Sequence, residues 1–127
     1  MQLAEGIDRL QRETAGCRAL VFGDLATGTV LRSAAAPGYR QEDHDALLAE
    51  AGACLGPAAA ELLARAAGIA EGRGAGPLRA LRLGAGEARL FRRAAPGAGD
   101  VLCARLDGAG DVAALDGALA ELLARHA

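Results

Sequence analysis

The sequence predicts an α+β domain: a five-stranded antiparallel sheet with helices on both faces, in the order α-β-β-α-β-β-β-α. Three observations carry this. Leu78–Leu83, Glu87–Arg93 and Val101–Leu106 are short apolar runs separated by Gly84-Ala85-Gly86 and Pro96-Gly97-Ala98-Gly99. Runs of that length between glycine-rich turns are strands of a meander, and connections this short force antiparallel neighbours. Cys17-Arg18-Ala19-Leu20-Val21-Phe22 is apolar on both faces, which predicts a central strand covered from both sides. Helical periodicity brackets the whole, with Leu3, Ile7 and Leu10 at one end and Leu115, Leu119, Leu122 and Leu123 at the other.

In chain order, the first helix ends at Ala15-Gly16, where glycine suits a C-cap. The strand Cys17–Phe22 then turns through Leu25-Ala26-Thr27-Gly28 into Thr29–Ser33, making a hairpin. Ala34–Arg40 is a loop about Pro37-Gly38, with the single tyrosine, Tyr39, as an aromatic lid on the core edge. Gln41-Glu42-Asp43-His44-Asp45 opens the middle helix, and its carboxylates oppose the positive end of the helix dipole. A solvated first turn accounts for His44 better than a metal site does. Leu47, Leu48, Ala51 and Leu55 follow, then Gly56-Pro57, where the helix either kinks or stops and restarts over Ala58–Ala67. The restart carries Ala59, Leu62, Leu63 and Ala66 on one stripe, suited equally to an interface and to internal packing. Gly68–Pro77 is a glycine-rich connector. Its Gly72-Arg73-Gly74-Ala75-Gly76 lacks the Lys-Ser/Thr of a phosphate loop and leads into a strand, not a helix N-terminus. After the meander, Asp111 caps a last helix running to Ala127.

All 127 residues are expected to form one domain, burying roughly two-thirds of the unfolded surface. Phe22, Phe91 and Tyr39 are the only aromatics, so the core is built from Leu, Val and Ala and gains less per residue than an aromatic one. Covering a further apolar face with a second chain would offset that. The net charge of −2 argues against nucleic-acid binding, which favours a basic excess. Every basic residue is arginine, as a GC-rich genome would give. Cys17, Cys54 and Cys103 form no C-x-x-C pair, and two histidines do not complete a zinc site. Free thiols in a reducing cytoplasm are expected. Neither a signal peptide nor a membrane-length apolar run is visible.

No nucleophile–base–orienter set is apparent, so a non-enzyme without cofactor or metal is expected. The densest basic feature is Arg79, Arg82, Arg89, Arg92, Arg93 and Arg105. Alternation puts Arg89, Phe91 and Arg93 on one face. That face reads either as a partner-binding patch or as charge that discourages edge-to-edge aggregation.

The element order resembles the roadblock family, which includes bacterial MglB-type proteins and roadblock dynein light chains. Four stretches carry the resemblance: the opening helix Leu3–Thr14; the hairpin Ala19-Leu20-Val21-Phe22-Gly23-Asp24…Gly28…Val30-Leu31; the connector Gly74-Ala75-Gly76-Pro77-Leu78; and the ending Val101–Leu123. The first turn, with Asp24 and Gly28 four apart, and the Gly56-Pro57 break depart from the family pattern. The resemblance implies a cytoplasmic, non-enzymatic homodimer or heterodimer whose middle helices meet and whose edge strands pair. The joint surface would dock a small Ras-like GTPase or another motor or signalling component. Carried onto this chain, the implied dimer surface is Leu47, Leu48, Ala51 and Leu55 with Leu78, Leu81 and Leu83 of the edge strand. A small-molecule sensor of the related profilin-like or GAF/PAS-like architectures is the alternative, and it requires an enclosed apolar pocket.

Overall fold

Five antiparallel strands lie in the order β2 (Thr29–Ala35), β1 (Cys17–Asp24), β5 (Asp100–Asp107), β4 (Glu87–Arg93), β3 (Arg79–Gly84), so the two chain-distant hairpins meet at β1 and β5 in the middle. The computed structural model describes residues 2–56, 62, 65–66, 78–95, 97–108 and 111–126. Its elements are α1 (Gln2–Glu13), β1 (Cys17–Asp24), β2 (Thr29–Ala35), α2 (Gln41–Leu55), β3 (Arg79–Gly84), β4 (Glu87–Arg93), β5 (Asp100–Asp107) and α3 (Val112–His126). This is the predicted α+β order.

Strand alternation sorts the core into two layers. Leu20, Phe22, Leu90, Leu102, Ala104 and Leu106 face α1 and α3, meeting Ile7, Leu115, Leu119 and Leu123. Val21, Phe91, Val101 and Cys103 face α2, meeting Leu47, Leu48, Ala51 and Leu55. The double-sided apolar strand Cys17–Phe22 is indeed central and covered twice.

Close packing sets the distance between α2 and the sheet at Gly23. A Cβ there would come within 2.7 Å of Leu48 Cδ2 and 3.0 Å of the Thr29 carbonyl oxygen. The β1–β2 turn is organised by Asp24. Its carboxylate accepts from the Ala26 N–H at 3.3 Å and the Thr27 hydroxyl at 2.9 Å, and its carbonyl accepts from the Gly28 N–H at 2.8 Å.

α2 stops at Leu55 and does not kink: Gly56 has extended backbone, and its N–H donates to the Gly52 carbonyl at 2.9 Å. Of the expected restart Ala58–Ala67, only Leu62, Arg65 and Ala66 are described, all helical. Pro57 and the connector Gly68–Pro77 lie outside the described residues. At α3 the Asp111 carboxylate accepts from the Ala114 N–H at 3.1 Å, which is the predicted N-cap.

Candidate protein-interaction surface

β3 and β4 form a two-residue hairpin. Ala85 and Gly86 both have positive φ, 50° and 75°, the conformation of the tight turn whose twist matches that of its strands. The register then follows, from Gly84 opposite Glu87 to Arg79 opposite Arg92. Among the described residues no strand lies on the outer side of β3, so it is an open sheet edge.

Residues on β3 alternate between two charged anchors. Towards α3, Arg79 and Arg92 both donate to Asp116, at 2.7 and 3.1 Å. Towards α2, Arg82 and Arg89 converge on Glu50 at 2.9 and 2.7 Å, and Arg89 also holds Glu87 at 2.9 Å. The Glu87 hydrogen bond, reinforced by Glu50, raises the Arg89 pKa further above its already basic value. The anchors fix both sides of the hairpin and leave its leucines bare. Leu78 is 40%, Leu81 46% and Leu83 75% exposed.

The other residues assigned from sequence stand elsewhere. Leu47, Leu48, Ala51 and Leu55 are all buried against the sheet, so they belong to the core and do not face a second chain. The face that α2 turns outward carries Ala46, Ala49 and Ala53, all exposed. Sequence could not separate these faces, because α2 has small or apolar residues almost all round.

Arg89, Phe91 and Arg93 do share a face, but it is the one α2 covers. Phe91 is fully buried, and Arg93 is 7% exposed. The Arg93 guanidinium donates to the Ala98 carbonyl at 2.8 and 3.1 Å and to the Leu55 carbonyl at 3.0 Å. Two of the three are therefore interior residues, and only Arg89 reaches the surface.

His44 is also displaced from its expected solvated setting. It is buried and stacks on Tyr39 with ring centroids 6.4 Å apart, while the Arg105 guanidinium lies 5.8 Å from the same tyrosine ring. Tyr39 is thus a lid over the α2 side of the core. Among the described residues no three His, Cys, Asp or Glu side chains gather as metal ligands, and no helix is long and apolar enough to cross a membrane.

A hollow of ≈ 580 Å³ lies between α1 and α3. It is open to solvent and rimmed by Gln2, Glu5, Arg9, Arg125 and His126, unlike the enclosed apolar pocket that ligand sensing requires.

No family model and no curated protein matches this sequence. Solved structures do match in fold. A Roadblock/LC7 domain from Streptomyces avermitilis superposes with a TM-score of 0.70 at 20% identity, covering 94% of this chain and 90% of that one. The gliding protein MglB of Thermus thermophilus gives 0.69 at 23% identity, covering 99% and 90%. An MglB structure described as a tetrameric arrangement gives 0.69 at 22%, covering 99% and 90%. The chain has the roadblock fold over nearly its whole length.

Proposed function

We propose that this protein is a non-enzymatic regulatory scaffold that works as a homodimer and binds a small Ras-like GTPase. The observation that carries the reading is the open β3 edge, where three leucines stand exposed beside an unpaired row of backbone groups. An edge of this kind is a hazard unless it is covered. A second copy of the chain covers it by adding its own β3, and the small outer face of α2 at Ala46, Ala49 and Ala53 lets two such helices approach closely. The roadblock fold supports the same assembly, and the sequence resemblance supplies the GTPase as partner. The joined α2 helices and flanking sheet then form the docking platform, in the cytoplasm.

Two measurements test the reading. Light scattering at micromolar concentration should return twice the monomer mass. The immobilised protein should retain a Ras-like GTPase from the same organism in one nucleotide state in preference to the other. A monomer, or equal disregard of both nucleotide states, would count decisively against it.

A further inference from the structure

The dimer reading leaves open how the two β3 strands align, and the backbone pattern of the hairpin narrows that choice to one register. The Arg93 N–H donates to the Leu78 carbonyl at 2.8 Å, and Gly84 faces Glu87 across the tight turn. Inward bonding recurs at every second residue of an antiparallel ladder. Leu78, Ala80, Arg82 and Gly84 therefore bond to β4, while Arg79, Leu81 and Leu83 turn their N–H and C=O groups outward. These same three side chains lie on the α3 side of the sheet, and Ala80 and Arg82 lie on the α2 side.

Resting on the dimer reading above, we infer that two copies pair antiparallel through β3 with Leu81 of each chain across the two-fold axis. In a self-pairing contact each residue and its opposite exchange roles, so a single register fixes every pair. With Leu81 opposite Leu81, Arg79 lies opposite Leu83 and Ala80 opposite Arg82. Every outward N–H and C=O of Arg79, Leu81 and Leu83 then finds a partner. No arginine faces an arginine. The Arg79 stem covers the most exposed leucine of the strand, and the long Arg82 side chain passes over the small Ala80.

Neighbouring registers are worse for definite reasons. A slip of one residue sends side chains to opposite faces of the joint sheet. Moving the axis to Arg82 sets two guanidiniums in a non-hydrogen-bonded pair, the closer of the two pair types, where like charges repel. It also carries Arg79 opposite Ala85, which the turn occupies. Moving the axis to Ala80 carries Leu83 past Arg79, where the other copy's β3 begins, and leaves its outward N–H and C=O without a strand residue opposite.

Cysteine cross-linking in a Cys54→Ser background reads the register directly. Opposed Cα atoms in a hydrogen-bonded pair lie about 5.5 Å apart, within disulfide range. Leu81→Cys alone should convert most of the protein to a covalent dimer on mild oxidation. Arg79→Cys and Leu83→Cys should stay uncoupled singly and cross-link when mixed. Efficient self-cross-linking of Arg82→Cys or Ala80→Cys instead, in a protein that scatters as a dimer, overturns the register and leaves the dimer standing. A monomeric parent overturns both. These positions are on an exposed edge, and circular dichroism of each variant should match the parent.

Discussion

Arg93 ties three parts of the chain together through one guanidinium. It joins β4 to the carbonyl that ends α2 and to the Ala98 carbonyl in the turn before β5. Replacing it strands buried acceptors, which costs far more than a surface charge does. Arg93→Met should lower unfolding free energy by about 2–4 kcal/mol in urea titration. A change below about 0.5 kcal/mol, the size expected at a surface position, would refute the anchoring role. Cys17 offers a second handle. Burial pushes its thiol from 9.0 up to about 11, and burial, aided by the charge of Glu50, raises the Cys103 thiol as well. A folded-state pKa above the unfolded one means that the folded protein holds the proton longer. Stability is therefore full below pH 9 and falls as pH climbs from 9 to 11, by about 3 kcal/mol for Cys17 alone. Urea midpoints across pH 8–10.5 should fall, and fall less steeply in Cys17→Ala. Strand alternation placed Arg89, Phe91 and Arg93 correctly on a single face. It could not say that α2 lies over that face, because the covering helix is supplied by residues some 40 positions earlier.

At the scale of elements, the β3–β4 hairpin carries the most consequence. Its arginines are committed to Asp116 and Glu50, so it presents its leucines beside arginines whose charges are already paired. Paired replacement of Leu81 and Leu83 by Asp removes two apolar contacts per chain and sets like charges together. The dimer dissociation constant should rise at least about 100-fold by analytical ultracentrifugation, with the fold intact. An unchanged constant would place the interface elsewhere. The hairpin, β1 and α3 could be read from spacing because each has an unambiguous signal: glycine turns, a double-sided apolar run, or a capped leucine stripe. α2 had none. With Ala46, Ala49 and Ala53 on one side and Leu47, Leu48, Ala51 and Leu55 on another, hydrophobicity hardly varies around its axis. The packing of Leu47, Leu48, Ala51 and Leu55 on Val21, Phe91 and Cys103, with Leu48 close above Gly23, shows which side meets the sheet.

For the whole molecule, a core with Phe22 and Phe91 as its only buried aromatics leaves a modest margin of stability. Association at β3 would add to that margin by mass action. Apparent Tm should therefore climb as protein concentration rises from the micromolar to the hundred-micromolar range, and the Leu81/Leu83 double Asp variant should show no such climb. A concentration-independent Tm in the parent would mean that the subunit is self-sufficient. Spacing gave the order of elements and their layers. The family resemblance had already pointed to Leu78–Leu83 as the edge strand; the structure adds that, among the described residues, β4 alone flanks it.

The irregularity between Phe22 and Gly23 bears on how far such an assembly can extend. Joining two subunits at β3 would leave β2 at both ends of a ten-strand ribbon, and a flat, regular terminus there would invite further subunits without limit. Instead the bulge distorts the β1–β2 ladder, and Arg32 is drawn back across the sheet to Asp8 of α1 at 2.9 Å. A warped rim bearing a charged side chain makes a poor template. In the proposed dimer, growth would therefore halt after one union, leaving a finite particle and no fibre.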